Sequence, residues 1–514
     1  MRRMRVLSIG LVLAIIGILS GLIQDVRDAQ AIPAFARKYD FACNVCHVPS
    51  FPKLNDFGNL FRDHGYQLGT DQELPTWEGL TKGYWPVSFR TTVGYQLQSK
   101  SGLAMGNGTP GQDVTVTTGS VGFTGLDILS FGILARDITF GMVFTPGLGS
   151  ASFNTGASDS NLESAFIKLD NLQRFIGLGS NNYLMNLKVG KYELDLPFSE
   201  KRSPTLNTPF VAYHYVAGTP FVGGGFGGFT ATSLSGSTLS ANDFGLGDNH
   251  AGAELAGIAP TAFTNGYFRY SLNAISNSDV NTDATGGGRA FQFYGHATQS
   301  FNGYGVVSGQ RVGVFGMAGQ APTNPNAAFT INPDGSISLI SGAGETNRSF
   351  SRVGVDVSTT WGGQVNVFGA WMFARDTQGL FNALVNPSSN VNVAPYAPLG
   401  STQEAHWNGG FVEADYNPVQ FPKWLFVYRY DWITNTQQPD SAYAGNFNNI
   451  AAHTAMIRYN LHISTRTDFA LHAEYSHLRD RGTAASGGNR ISGLSGVGGD
   501  QRQDTMLVGF DFAF

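Results

Sequence analysis

Charged side chains are scarce in this 514-residue chain, at 13 % of the total, where soluble domains carry roughly 25 %. Long apolar runs are scarce as well. Beyond the N-terminus no stretch of about 20 apolar residues occurs, which excludes a bundle of transmembrane helices and agrees with a mean hydropathy of −0.09. The net charge of −5 gives no basic field, so nucleic acid is not an expected partner.

Glycine and aromatic residues are abundant instead: the chain has 66 Gly, 38 Phe and 19 Tyr. Few charges, much glycine and many aromatics without helical spans are typical of a transmembrane β-barrel. Composition alone is equally compatible with a large soluble β-sandwich or propeller. The absence of a repeat with a fixed period argues against the propeller.

The N-terminus indicates export. "MRRMR" is a positive segment, residues 6–23 form an apolar run, and the small residues of "AQA" (29–31) suit a signal-peptidase site. We therefore predict a signal peptide over residues 1–31 and a mature chain from Ile32. The apolar run is long for a signal peptide, so an uncleaved anchor is the alternative.

Only two cysteines are present, Cys43 and Cys46, and His47 follows the second at once. This C-x-x-C-H spacing is the attachment signature of c-type haem. Two thiols one turn apart form thioethers to the haem vinyl groups, and the adjacent histidine becomes an axial ligand of the iron. A redox dithiol would stand in a βαβ context and a zinc site would need more ligands. We predict one covalent haem c.

The segment after the motif predicts a helix that could supply the other axial ligand. In "FPKLNDFGNLFRDHGYQLG" a single apolar face carries Leu54, Phe57, Phe61 and His64. Gly65 is suited to close that helix. His64 is therefore the candidate second axial ligand; Met105 and an open sixth position are the alternatives.

From residue 84 onward the periodicity becomes two. In "VSFRTTVGYQL" (87–97) apolar and aromatic residues alternate with Ser, Arg and Gln, and the pattern recurs at 267–274, 426–433, 453–462 and 468–477. Charges opposite an aromatic face favour a wet lumen and a lipid-facing exterior, because a soluble barrel would have the reverse arrangement. We expect these charged side chains to point inward: Arg269, Arg429, Asp431, Arg458, His472 and Glu474.

The end of the chain supports the barrel. "TMLVGFDFAF" places five residues on one face, Met506, Val508, Phe510, Phe512 and Phe514, and resembles the C-terminal strand of bacterial outer-membrane proteins. Strands can cross lipid only in a closed sheet, since every backbone N–H needs a partner. Residues 84–514 leave room for about 14 to 18 strands, and we favour about 16. Gly/Ser/Asn-rich segments, the longest at 216–264, are expected to be loops.

Together these features resemble the fused monohaem cytochrome–porin family, the outer-membrane iron oxidases of iron-oxidising bacteria. The resemblance is carried by "IPAFARKYDFACNVCH" (32–47) and "FPKLNDFGNLFRDHGY" (51–66). It implies an all-β barrel with a small helical haem c plug over residues 32–80. It also implies electron flow from extracellular Fe(II), or another reduced donor, to a periplasmic c-type cytochrome. The stretch 188–203 is similar to the relatives' early barrel strands.

Electron transfer makes and breaks no substrate bond, so no general base or nucleophile is expected, and the protein places the haem and tunes its potential. Lumen charges could position the plug or tune that potential: Arg90, Lys188, Arg429 and Glu474. Two other functions fit the sequence: a passive porin with an accessory haem module, and a peroxidase-like haem enzyme with an open iron position.

Overall fold

The structure is a computed structural model. The residues that it describes are 33–39, 41–48, 52–68, 75–81, 86–104, 113–146, 161–177, 183–207, 209–215, 246–247, 249–276, 291–322, 329–331, 337–339, 347–377, 404–437, 449–461, 467–481 and 501–513. The predicted signal peptide (1–31), Met105 and Phe514 lie outside these ranges.

Sixteen antiparallel strands form one closed barrel. The first nine are β1 Val87–Ala104, β2 Asp113–Ala135, β3 Ile138–Thr145, β4 Asn161–Leu169, β5 Asn186–Glu193, β6 Asn249–Thr261, β7 Gly266–Ser276, β8 Phe291–Phe301 and β9 Gln310–Pro322. A separate two-stranded sheet, β10 Phe329–Ile331 and β11 Ile337–Leu339, interrupts the series. The barrel continues with β12 Asn347–Trp361, β13 Val365–Asp376, β14 Ala405–Tyr416, β15 Trp424–Gln437, β16 Asn449–Asn460, β17 Asp468–Arg481 and β18 Gln501–Ala513.

The helices are short. They are α1 Pro33–Tyr39, α2 Cys43–Cys46, α3 Asp56–Asp63, α4 Thr76–Thr81, α5 Leu172–Phe175 and α6 Val211–His214, with a 3₁₀ turn at Glu200–Arg202. Within the described ranges no helix is long and apolar enough to span a membrane.

The barrel closes where its last strand pairs with its first. Phe510 lies opposite Val93 and Met506 lies opposite Leu97 in the β18–β1 ladder. Closure leaves no barrel strand with an unpaired edge, which removes the usual liability of an exposed sheet. The predicted transmembrane-type β-barrel fold and the favoured strand count are both confirmed.

The two faces of the wall differ as the alternation predicts. On β12, Val353, Val355 and Val357 are 60 %, 50 % and 51 % exposed on the outside, whereas Arg352 and Asp356 are 6 % and 3 % exposed inside. The inward charges predicted on β15 to β17 are also buried: Arg429, Asp431, Arg458, His472 and Glu474. The lumen is therefore the polar side, and much of it is filled rather than open.

The two mouths of the barrel differ in their connections. At one mouth the strands are joined by short turns, such as 262–265 between β6 and β7 and 362–364 between β12 and β13. Gly362 and Gly363 both have positive φ, 57° and 67°, a conformation that suits glycine. The first strand begins and the last strand ends at this short-turn mouth. Its longest connection, 170–185, contains α5, and most of the longer connections lie at the opposite mouth.

Two sequence predictions need correction. The predicted loop 216–264 is too long, because β6 occupies 249–261; its Ala/Gly-rich sequence resembles a loop, yet it pairs with β5 and β7 along its length. The stretch 188–203 is only partly strand, since β5 ends at Glu193 and the chain then turns into the lumen.

Candidate cofactor site

The two cysteines lie at the ends of a single helical turn, α2. The His47 N–H donates to the Cys43 carbonyl at 2.7 Å, which closes that turn and places the histidine directly after it. Both cysteines are buried, each 5 % exposed. The spacing predicted for two thioether bonds and an adjacent imidazole is therefore present in the backbone.

His47 has a fixed ring orientation. It forms an antiparallel bridge with Leu54, and its Nδ1 lies 3.1 Å from the Pro52 carbonyl oxygen. A carbonyl only accepts, so Nδ1 carries the ring proton and Nε2 keeps the lone pair with which an imidazole binds a metal. Burial lowers the pKa of His47 to about 4, which keeps the ring in the neutral, ligating form.

Asn55 joins the motif to the next helix. Its Oδ1 accepts the Gly58 N–H at 2.9 Å and so caps the N-terminus of α3. Its Nδ2 lies 3.0 Å from the Asn44 carbonyl and 3.1 Å from the Val45 carbonyl, inside the C-x-x-C turn. One side chain thus holds α2 and α3 together.

Gly58 allows these two helices to touch. A Cβ at this position would overlap the Cys46 carbonyl oxygen, so only glycine fits without a backbone shift. The other end of α3 closes as predicted: Gly65 has a φ of +68°, and the N–H groups of Tyr66 and Gly65 donate to the carbonyls of Phe61 and Arg62. This is a Schellman motif.

The helix is shorter than the predicted apolar face, because it runs only from Asp56 to Asp63. Leu54 precedes the Asn55 cap, and His64 follows the last helical residue. Phe57 and Phe61 remain on the helix, with their rings stacked 6.3 Å apart. The cap and the Schellman motif set these limits, which the periodicity of apolar residues did not reveal.

Cys46 and His47 line a cavity of about 270 Å³ at the barrel lumen. Its aromatic wall includes Phe35 and Phe61, whose rings meet edge to face at 5.1 Å. Burial raises the pKa of the Cys46 thiol to about 12, so the free thiol stays protonated. The neutral His47 imidazole, the Cys46 sulfur and the aromatic wall fit a covalently attached haem at this cavity, and the Cys43 sulfur lies one helical turn from Cys46.

The remaining predicted site residues lie apart from this wall. Cys43 packs against Phe41 and is not among the residues that line the cavity. His64 stacks on Tyr183, with ring centroids 4.5 Å apart at an interplanar angle of 14°, and it is not among the residues that line the cavity. Burial lowers the pKa of His64, so it too is favoured as neutral imidazole, and its role as a ligand stays a prediction.

Asp63 docks α3 onto the inner wall of the barrel. Its carboxylate accepts from Arg269 Nε at 2.8 Å and from Nη2 at 3.2 Å, on β7. The hydroxyl of Tyr304, in the turn between β8 and β9, donates to the same carboxylate. Burial opposes its ionisation, but Arg269 and Arg62 outweigh burial and hold the pKa of Asp63 well below its usual range.

Lys53 provides a second anchor. Its Nζ donates to Asp415 Oδ2 at 2.6 Å and to Asn366 Oδ1 at 2.8 Å, on β14 and β13. The same ammonium lies 4.0 Å from the centroid of the Phe368 ring. All these contacts lie near the short-turn mouth, so the described parts of residues 33–68 dock at that mouth.

A second segment enters the lumen from the other side. Residues 194–207 and 209–215, which we call the strap, leave β5 and run along the inner wall. The Glu474 carboxylate accepts the N–H groups of Leu206 and Asn207, both at 2.7 Å. Arg429 donates to Thr205 Oγ1 at 2.6 Å and to the Pro209 carbonyl at 3.2 Å. The strap is thus fixed to β15 and β17 through charged side chains.

Aromatic side chains of the strap pack against aromatic residues of the inner barrel wall. The Phe210 ring stacks on the Phe411 ring, with centroids 4.0 Å apart. The Phe198 and Phe368 ring centroids are 4.4 Å apart, and Phe368 is also the ring that Lys53 contacts. Phe210 and Tyr213 are 1 % and 2 % exposed. The described parts of residues 33–68, which we call the module, therefore meet the strap at Phe368, and the lumen is packed there.

Comparisons with known proteins find similarity among solved structures. No protein-family model and no curated protein matches the chain. Among solved structures it is similar to OprB of Pseudomonas putida, at 10 % identity and a TM-score of 0.42, over 85 % of this chain and 96 % of that one. It is also similar to an anion-selective porin from Comamonas acidovorans, at 12 % identity and a TM-score of 0.40, over 83 % and 99 % of the two chains.

Sequence reasoning missed the residues that assemble the site. Asn55 has a readable signal, since an Asn directly before an amphipathic segment is a typical N-cap. Lys53, Asp63 and the strap have none, because their partners lie far away in sequence and no local pattern joins them. Within the described ranges no cluster of three metal-ligating side chains is present.

Proposed function

We propose that this protein carries electrons across the bacterial outer membrane through one covalent haem c, bound at Cys43 and Cys46 with His47 as axial ligand. Extracellular Fe(II) is the proposed donor and a periplasmic c-type cytochrome the proposed acceptor. The observation that carries the proposal is the cavity lined by Cys46 and His47 at the barrel lumen. When bound, the haem supplies the one-electron chemistry.

The outer wall supports the membrane location. The exterior exposes large apolar and aromatic side chains, such as Val355, Phe293 and Phe510 at 50 %, 63 % and 44 % exposure. An apolar exterior around a polar lumen is the arrangement that lipid requires of a barrel. In such barrels the short turns face the periplasm and the long loops face outward, so the module would stand at the periplasmic mouth.

The packed lumen favours electron transfer over passive permeation. The strap is tied to β15 and β17, and its aromatic residues fill the space beside the module. A solute could pass only if these buried side chains moved aside, whereas an electron can pass through the packed lumen by way of a redox centre held inside it. A barrel about 25 Å tall is too thick for one fast electron hop, so a haem held inside it shortens each step.

The chain's own residues provide the remaining requirements. Pro52 orients the His47 ring, Asn55 and Gly58 hold the motif against α3, and Asp63 docks α3 to the wall. None of these roles requires a general base.

The test is electron transfer through a sealed membrane. The full-length protein is reconstituted into liposomes that enclose a soluble cytochrome c, and Fe(II) is added outside. We expect the enclosed cytochrome to be reduced, and a Cys43→Ser/Cys46→Ser double variant, which keeps the barrel but loses the attachment sites, to leave it oxidised. Equal reduction by both proteins would refute the proposal, because Fe(II) would then be leaking through a pore.

A further inference from the structure

Two arginines from different segments line the same cavity as Cys46 and His47. Arg62 belongs to α3, and Arg202 ends the 3₁₀ turn of the strap. Both also line a smaller adjoining cavity between the module and the strap. The two guanidinium groups therefore face one space from two sides.

Each guanidinium is only partly engaged by protein carboxylates. Arg62 Nε and Nη2 both donate to Asp63 Oδ1, at 3.1 Å and 3.0 Å, on a carboxylate that Arg269 also binds. Arg202 Nη2 donates to Glu193 Oε2 at 3.2 Å. A guanidinium has several N–H donors in a planar fork, so both arginines retain donors for a ligand in the cavity.

The positive charges of Arg62 and Arg202 repel each other. Burial lowers the pKa of Arg202, and the neighbouring Arg62 lowers it further, against the opposite effect of Glu193. Two cations held close together are stabilised by an anion that both can bind. Lys168 and Lys201 also line this cavity and pair with Asp170 at 2.7 Å and Glu163 at 3.1 Å. They are less suited to that role because an ammonium lacks the planar fork of donors that matches a carboxylate.

We propose that Arg62 and Arg202 bind the propionate carboxylates of the haem, an inference that rests on the proposed function. Haem carries its two carboxylates on one edge, and arginine is the residue best matched to carboxylate geometry. Because Arg62 lies in the module and Arg202 in the strap, the haem edge would bridge the two segments. Haem binding would then stabilise the closed lumen as well as supply the redox centre.

The test compares full-length, haem-loaded Arg62→Gln and Arg202→Gln variants with the parent protein. The readout is the resonance Raman bending bands of the propionates, whose frequency reports their hydrogen bonding. We expect both variants to shift these bands to lower frequency. We also expect a lower reduction potential, because propionates that lose their cations stabilise the ferric iron. Arg311→Gln is the matched control: Arg311 is a lumen arginine bonded to the strap, 2.8 Å from the Pro197 carbonyl, but it lines only the smaller cavity.

Unchanged propionate bands in both variants, with haem still attached, would overturn the inference and leave the proposed function standing. Bands that shift equally in Arg311→Gln would also overturn it, because the effect would then be one of general lumen charge. Absence of covalent haem from the parent protein would instead refute the proposed function itself. If the glutamine variants fail to assemble, Arg62→Lys and Arg202→Lys keep the charge but lose the planar fork, and unshifted bands in them would equally count against the inference.

Discussion

The strap should be released when Glu474 loses its carboxylate. Glu474 is 2 % exposed and accepts two strap N–H groups, from Leu206 and Asn207, at 2.7 Å each. His472 Nε2 contacts the same carboxylate at 3.0 Å. Glu474→Ala removes all three interactions and leaves two backbone donors of the strap without this acceptor.

The size of the effect follows from these bonds. A hydrogen bond to a charged group contributes about 1.5–3 kcal/mol, so the two strap bonds together contribute about 3 kcal/mol at the lower bound. Since about 1.4 kcal/mol corresponds to a tenfold change in an equilibrium constant, strap release should become roughly 100-fold more populated. The backbone ladders that join β17 to β16 and β18 do not depend on this side chain, so the barrel itself should stay assembled.

The assay is single-channel conductance in a planar bilayer. The parent protein should be almost silent, and Glu474→Ala should show channel openings about two orders of magnitude more often. Glu254→Gln is the control, because Glu254 is a lumen carboxylate bonded to Ser271 at 2.7 Å and paired with Lys188, with no bond to the described residues of the strap. A parent protein that already conducts steadily, or a Glu474→Ala variant as silent as the parent, would refute the view that the strap closes the lumen.

Three further predictions concern the module. Because the folded-state pKa of Asp63 lies below its ordinary value of 3.8, its ionised form stabilises docking above pH 3.8 and this contribution is lost as the pH falls lower; protease resistance of the module should follow that pH dependence, and Asp63→Asn should abolish it. Gly58→Ala should destabilise the module by about 1–3 kcal/mol and lower the yield of covalent haem on a stained denaturing gel, whereas Gly295→Ala, whose added Cβ meets its nearest neighbour at 3.5 Å, should have little effect. If His64 ligates the iron, His64→Ala should turn a low-spin absorption spectrum high-spin, and an unchanged spectrum would remove His64 from the site.

The barrel was predictable because lipid imposes a simple pattern on its strands. The two-residue alternation of apolar and polar side chains records which face meets lipid, and residues such as Tyr428 and Arg429 lie on opposite faces as that pattern requires. The exception is β6, where Ala and Gly replace the larger apolar residues. Small residues carry little hydrophobic signal, so the strand was taken for a loop.

The site was predictable only where its chemistry is local. Cys43, Cys46 and His47 are identified by their spacing alone, and their turn has the expected geometry. The contacts that position this turn join residues separated by hundreds of positions, such as Lys53 with Asp415 and Asp63 with Arg269. Barrel closure brings these pairs together, and no single stretch of sequence contains that information.

The strap was missed for a related reason. It is held by backbone N–H groups that bond to lumen carboxylates and by stacked rings such as Phe210 on Phe411. A backbone N–H is present at almost every residue, so it leaves no mark in the sequence. The strap therefore became visible only with the inner wall of the barrel.

The most direct test of the whole account is the mass and absorption spectrum of the full-length protein after denaturation. We predict that one haem stays attached to the denatured chain and that Cys43→Ser/Cys46→Ser removes it. A denatured chain that carries no porphyrin, after expression with a working cytochrome c maturation system, would contradict the account at its centre.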